Sequence, residues 1–265
     1  MRDAQVQPAG FVLELSPDWL ILRASENVHK FLGDYHSRLI GEPISNFTLA
    51  QPLHDLRNSL SRQRGHSGIA RCYRVRLTDE PRLFDIAFQL LDSTIVLEGL
   101  PSAEQGVGEA LGSISRLIEG LGGSDRKAML DGAARRMRAL TGFDRATLSL
   151  SESRVESSRS KLPELAIAGE LPAIVADCAS DPVPLFPRQE DDRQIERALL
   201  RSPSAEQLDQ LRAAGARSVI SVPIIRDGQA IGDFRCDNRI ARPPSFELHA
   251  AAELFAQVFA MHLPD

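Results

Sequence analysis

Between Phe11 and Leu100 the spacing of apolar residues changes from strand-like to helical and back, and no other feature of the chain restricts its fold as strongly. Phe11, Val12, Leu13 and Leu15 lead to a turn at Ser16-Pro17-Asp18, and Trp19, Leu20, Ile21 and Leu22 follow, which predicts a β-hairpin. Ser25 stands at an N-cap position before Val28, Phe31 and Leu32 at helical spacing, and Gly33 ends that element. After Gly41-Glu42-Pro43, Leu53, Leu56 and Leu60 predict a second amphipathic helix, closed by the polar stretch from Arg62 to Gly68. Strands from Ile69 to Leu77, Leu83 to Leu91 and Thr94 to Leu100 complete the order. Two strands, short helices and a three-strand meander predict an α+β domain whose antiparallel sheet carries helices on one face.

A chain of 265 residues has room for two such domains. The Ser-, Gly- and Glu-containing stretch 101–108 is read as a linker between a domain at 1–100 and another at 109–265. In the second, Leu111, Ile114, Leu117, Ile118 and Leu121 predict a helix, and Ser124 is expected to cap another that carries Met129, Leu130, Ala133, Met137 and Leu140. A strand from Ala146 to Leu150 follows. The charged, Ser-rich stretch from Ser151 to Lys161 has no periodicity and is expected to be a mobile loop. Beyond a short apolar run, Ala173 to Ala176, the prolines between Asp181 and Pro187 force an extended strap, expected on the surface. Ser204 caps a helix through Leu208 and Leu211, Gly215 ends it, and Asp227-Gly228 joins two strands, Ser218 to Ile225 and Gln229 to Cys236, as a hairpin. A final helix presents Phe246, Leu248, Ala251, Leu254, Phe255, Val258 and Phe259 as one broad stripe.

Several classes of function are disfavoured. The net charge is -5 with arginines scattered among acidic residues, so there is no basic footprint for nucleic acid. No apolar run is long enough to span a bilayer, and Met1 to Gly10 lacks the apolar core of a secretion signal, so a cytoplasmic protein is expected. Cys72, Cys178 and Cys236 are too far apart for a metal motif, and Cys236 reads as a core thiol. His29, His36, His54, His66, His249 and His262 show no metal-ligand spacing, and Glu190-Asp191-Asp192 reads as a solvated acidic turn. With no nucleophile-base or phosphate-loop motif either, no metal site and no enzyme is expected.

Gln7-Pro8-Ala9-Gly10 is similar to the Gln-Pro-His-Gly that opens the PAS domain of bacterial phytochromes. Ala24-Ser25-Glu26-Asn27, Leu32-Gly33, Ile40-Gly41 and Leu83-Phe84-Asp85 follow in that family's order. Leu140-Thr141-Gly142-Phe143-Asp144-Arg145 resembles its GAF entry strand, and the stretches Val175-Ala176-Asp177, Pro182 to Leu185 and Leu208 to Ile225 resemble the segments around its chromophore pocket. The resemblance implies a PAS-like antiparallel sheet with helices followed by a GAF-like antiparallel sheet flanked by long helices.

It further implies a linear tetrapyrrole in the GAF pocket, and the pocket positions are changed in this chain. Met1 to Val6 contains no cysteine for attachment, Glu206 stands at the alternative cysteine position, and Gln207 stands at the pocket histidine. Ser149 and Gln210 align with pocket tyrosines and Asp237 with a second histidine. The interval from Leu150 to Ala173 is too short for the Asp-Ile-Pro segment, and Arg201 is the one propionate-pairing arginine that can be placed. No cofactor is therefore expected, with noncovalent biliverdin or another planar molecule as the alternative. The shortened N-terminal segment and its GAF loop are not expected to form a lasting knot. The helices are expected to carry the signal to a second copy or a signalling protein, with no output domain following in this sequence. The candidate interface residues are Leu117, Leu121, Met137, Leu254, Phe255 and Val258.

Overall fold

The structure is a computed structural model that describes residues 4–62, 68–91, 93–103, 114, 116–119, 121, 125–159, 170–189 and 192–263. Its contacts form two interleaved units. The first comprises Met1–Glu104, Ser180–Ser202 and Pro244–Phe246; the second comprises Gln105–Ala179, Pro203–Pro243 and Glu247–Asp265. Most of the expected linker, 104–108, lies outside the described residues.

The first unit is a seven-stranded sheet in the order β1-β10-β3-β2-β6-β5-β4. Its strands are β1 (Gln5–Val6), β2 (Phe11–Leu15), β3 (Ile21–Ser25), β4 (Ala70–Val75), β5 (Phe84–Leu91), β6 (Thr94–Pro101) and β10 (Val183–Phe186), all paired antiparallel. Helices α1 (His29–Leu32), α2 (His36–Leu39) and α3 (Ala50–Arg62) supply Phe31, Leu39, Leu53 and Leu56 to a core with Phe11, Leu13, Ile21, Ile86, Phe88 and Leu97. The predicted hairpin forms with a longer turn, because Trp19 takes the left-handed region at φ 68 and Ser16 donates its N–H to the Leu20 carbonyl. The second strand therefore starts at Ile21. Ser25 does not cap a helix: its hydroxyl accepts from the Val12 N–H at 3.1 Å, tying β3 to β2, and a 3-10 turn at Glu26–Val28 precedes α1.

The prolines of 181–187 do produce extended chain, but the strap is strand β10, inserted between β1 and β3 with Leu185 buried. Charge on the second face of the sheet holds it there. Arg23, 1% exposed, donates from Nε to the Pro187 carbonyl at 2.8 Å and from Nη1 to Glu14 at 3.3 Å and Asp192 at 2.6 Å. Asp192 is thus part of an ion cluster with a side chain 10% exposed, not of a solvated turn, and it also accepts from the Ala4 N–H at 2.6 Å. Past the short helix α5 (Arg193–Glu196), Gln89 donates to the Arg197 carbonyl, and Glu98 accepts from the N–H groups of Leu199 at 2.9 Å and Leu200 at 2.7 Å. Far from being loosely held, the N-terminal segment is bonded on both sides by this one excursion. Gln5 and Val6 pair with Pro184 and Val183, while Gln7 donates to Leu200 and Ser202 donates back to Gln5.

Burial pushes the Glu98 carboxyl up to about 7, against the two N–H donors and Arg71, which favour the carboxylate. A folded state that holds its proton more tightly than the unfolded chain loses stability as pH rises through the window from about 4.5 to about 7. Relative to wild type, Glu98→Gln is therefore expected to gain about 3 kcal/mol between pH 4.5 and pH 8, whatever its offset at low pH. Urea midpoints of both proteins across that range measure it; a constant difference between them would show that Glu98 does not titrate there.

The second unit is a five-stranded antiparallel sheet, β8 (Ser153–Ser158), β7 (Arg145–Leu150), β12 (Gln229–Asn238), β11 (Ser218–Arg226) and β9 (Ile174–Val175), in that order. Helices α4 (Arg126–Thr141) and α7 (Phe246–His262) close one face, where Met137, Phe255 and Phe259 meet Leu148, Val222 and Phe234. Asp125 caps α4, accepting from the Lys127 N–H, and the expected cap Ser124 lies outside the described residues. The expected loop after β7 is edge strand β8, paired residue for residue with Arg145–Leu150. An edge strand needs only one hydrogen-bonded neighbour, so β8 exposes alternate residues and contributes only Val155 to the core. The Asp227-Gly228 turn, with both φ positive, joins β11 to β12 as predicted, and α6 (Ala205–Ala213) starts at Ser204 with a reciprocal Ser204/Gln207 capping box.

Candidate functional site

Strand alternation gives the second sheet two chemically opposite faces. Ala146 and Leu148 of β7, Phe234 and Cys236 of β12 and Ile220 and Val222 of β11 lie under α4 and α7. Their neighbours on the other face are Arg145, Thr147 and Ser149 of β7, paired with Asp237, Arg235 and Asp233 of β12. On the outer side, β8 places Glu156 opposite Thr147 and Arg154 opposite Ser149.

Two charged pairs lie on this face, one across β7 and β12 and one along β12, and they differ. In the first, Arg145 donates from Nε to Asp237 Oδ1 at 2.7 Å and from Nη2 to Oδ2 at 3.1 Å, with side chains 1% and 3% exposed. Burial pushes the Asp237 carboxyl up and the Arg145 hydrogen bonds and charge pull it back. That pair is closed. In the second, Arg235 Nε and Asp233 Oδ2 stand 3.8 Å apart, beyond hydrogen-bond length, and each of these buried atoms lacks a hydrogen-bond partner. The Asp233 carboxyl is raised by burial, with Arg235 and Arg154 countering. An orphaned donor or acceptor costs about 1–3 kcal/mol, so this pair favours any group that accepts from Arg235 or donates to Asp233. A linear tetrapyrrole, with carboxylates and pyrrole N–H groups, has both kinds of group, and to that extent the residues present fit one.

The sequence-predicted site residues do not converge on one point. Ser149 faces Asp233 across the β7/β12 pair, and Asp237 is closed off by Arg145. The Gln207 amide serves the helix start: Oε1 accepts from the Ser204 N–H and Nε2 donates to the Glu170 carbonyl. Gln210 is half-buried and donates to Glu206 on α6. Arg201 belongs to the first unit, bridged to Val6, with its carbonyl accepting from Gln7 Nε2. Asp233 and Arg235 escaped the sequence reading, and Arg145 entered it only as the end of the GAF entry motif. For Asp233 and Arg235 the signal was present as charged residues at every second position of Asp233-Phe234-Arg235-Cys236-Asp237.

Of the candidate interface residues, Leu121, Met137 and Phe255 are at most 1% exposed and fill the unit's own core, so they have no surface to offer a partner. Leu117 and Val258 are half-buried against that core, and Leu254 is 41% exposed. The Cys236 thiol is buried and pushed up to about 12, the core role expected of it. Among the described residues no three His, Cys, Asp or Glu side chains are grouped to hold a metal, and no helix is long and apolar enough to cross a membrane.

Residues 125–263 match the GAF domain family and residues 2–101 match the PAS fold. A bacteriophytochrome of Pseudomonas aeruginosa is 23% identical over 286 residues, covering 96% of this chain and 38% of the relative. The cyanobacterial phytochrome B of Nostoc is 20% identical, covering 97% of this chain and 38% of the relative. The chain thus spans well under half the length of these curated relatives. Among solved structures, the chromophore-binding domain of an unusual bacteriophytochrome from R. palustris is 26% identical, with TM-score 0.78 over 97% of this chain and 93% of that one. The wild-type chromophore-binding domain of a Stigmatella aurantiaca phytochrome is 21% identical, with TM-score 0.81 over 98% of this chain and 96% of that one. The expectation of a chain without a cofactor is overturned by this likeness, because the structures that match it along nearly its whole length are chromophore-binding domains. The changed pocket positions had suggested loss of the group; they are substitutions within a frame that is preserved.

Proposed function

Because this chain belongs to the GAF domain family through residues 125–263, behind a PAS fold of the bacteriophytochrome kind, we propose that it is a phytochrome-like sensory module holding a linear tetrapyrrole of the biliverdin type without a covalent bond. The observation that carries this reading is the open Arg235/Asp233 pair on a sheet whose other face is sealed by α4 and α7. Bound there, such a group supplies absorption of red light. Arg235 holds a carboxylate, Asp233 accepts from N–H groups, and the Arg145/Asp237 pair keeps the sheet in register. Attachment through sulfur is disfavoured: Cys178 and Cys236 are buried, Cys72 is half-buried in the first unit, and burial raises all three thiols away from the reactive thiolate. Mixing the purified protein with biliverdin is expected to produce a red-shifted absorption band that vanishes on denaturation, with no pigment left on the chain. A spectrum identical to free biliverdin sinks the reading; pigment retained after denaturation sinks its noncovalent part.

The same module passes its signal through a second copy of the chain. Leu254 and Met261, 41% and 83% exposed, lie seven residues apart on α7 with half-buried Val258 between them, so they form one apolar face. Sedimentation at tens of micromolar is expected to show a dimer that Leu254→Glu converts to monomer with an unchanged thermal midpoint. A wild type that sediments as a monomer at that concentration removes this part.

A further inference from the structure

The sequence places the only alignable carboxylate partner of a ligand at Arg201, and the structure sets that residue in the first unit. We infer that Arg235 is the residue that selects the ligand, binding a carboxylate through its unpartnered Nε while Asp233 beside it takes a hydrogen-bond donor, so that this sheet face recognises molecules presenting both groups and rejects their esters. The inference rests on the reading of the second unit as a ligand-binding GAF domain and specifies the chemistry of its ligand.

Three observations converge on it. Arg235 and Asp233 sit on adjacent rungs of one strand, two residues apart, with Phe234 between them turned into the opposite core, so both face the same side. Their partners across the pair are Thr147 and Ser149, neutral and short, which leave the charges uncompensated from β7. Of the other charged groups of this face, Arg145 and Asp237 close on each other and Glu156 stands 3.7 Å from Arg145, while the charge of Arg154 on β8 bears on Asp233. Across β12 on the other side, Arg235 is opposite Ser221 and Asp233 is opposite Pro223, again without charge. A guanidinium that keeps a free N–H beside a carboxylate at 3.8 Å is positioned to accept a second carboxylate, and the Asp233 oxygen it does not reach favours an N–H donor. Arg201 instead stands in the first unit, next to Val6 and Gln7.

The test compares biliverdin with its dimethyl ester on the wild-type protein, and then biliverdin on Arg235→Gln and Arg201→Gln, each followed by absorbance titration and checked for folding by circular dichroism. The ester is expected to bind the wild type about ten- to a hundredfold more weakly than the diacid, the range of one charge-assisted hydrogen bond. Arg235→Gln is expected to show the same weakening toward the diacid and no discrimination against the ester, while Arg201→Gln binds as wild type. Equal binding of acid and ester by the wild type overturns the inference and leaves the general reading standing. So does a loss confined to Arg201→Gln. Absence of any band with the wild type overturns both. Because the ester arm uses the unaltered chain, a folding defect in the variants cannot hide the result.

Discussion

Arg23→Ala is expected to destabilise the first unit by about 3–5 kcal/mol, the usual consequence of removing one partner from a buried ion cluster. The alanine leaves Glu14 and Asp192, with side chains 6% and 10% exposed, facing each other without their counterion, and it frees the Pro187 carbonyl. It also removes the clamp that joins β3 to the excursion of 180–202, so the defect reaches beyond one strand. Asp192 is the acceptor for the Ala4 N–H, and β10, which follows Asp181, lies between β1 and β3. Urea unfolding of the variant, together with limited proteolysis around 180–202, measures both effects. An unchanged midpoint and an unchanged cleavage pattern would mean that the cluster is neutral in the folded state. Replacing all three charged residues by apolar ones of similar volume is expected to restore most of the loss, because the destabilisation comes from the uncompensated carboxylates.

The second unit carries a prediction of the same size with a sharper signature. Arg145→Ala strands Asp237, whose side chain is 3% exposed, and is expected to cost about 3–5 kcal/mol at neutral pH. Burial already raises the Asp237 carboxyl, and without Arg145 that shift is no longer countered. A carboxyl raised further in the folded state binds its proton more tightly than in the unfolded chain, so the variant's deficit shrinks as pH falls below neutrality and grows as pH rises. A double-mutant cycle with Asp237→Ala, read by thermal or urea unfolding, is expected to return a coupling of about 2 kcal/mol or more. A coupling near zero would show that the two bonds seen at 2.7 and 3.1 Å contribute nothing net.

Elements built on local periodicity were readable directly. The helix at Leu53, Leu56 and Leu60, the strands of the meander, the Ser204-capped helix and the Asp227-Gly228 hairpin all occur where apolar spacing and capping residues put them. The failures share a cause. Ser153–Ser158 has no apolar pattern because an edge strand buries little, and its pairing with β7 comes from the partner's hydrogen bonds. The proline strap reads as surface because nothing within it announces that Arg23, Glu14 and Asp192 will gather on the face it joins. Ser25 reads as a cap because a hydroxyl before a helix usually is one; here it accepts from the Val12 N–H of the neighbouring strand instead.

The candidate site divides along the same line. Resemblance to the phytochrome family pointed to the sheet of the second unit, and Ser149 and Asp237 do stand on its polar face. It could not show that Gln207 is bound up in a helix start or that Arg201 sits with the first unit. The open pair of Asp233 and Arg235 is a matter of 3.8 Å against the 2.7 Å of its neighbour, a difference that no residue identity encodes.

By itself, then, the order of amino acids determined two α+β domains, most of their helices and strands, the family, and the buried role of Cys236. Only the tertiary structure decided which strand lies beside which, how a charge at position 23 meets one 169 residues away, and which charged pair stays open. Periodicity and capping act within a few residues, so a linear reading captures them. Pairing of buried charges depends on distances set by every layer of packing between them, and those distances exist only after the chain has folded.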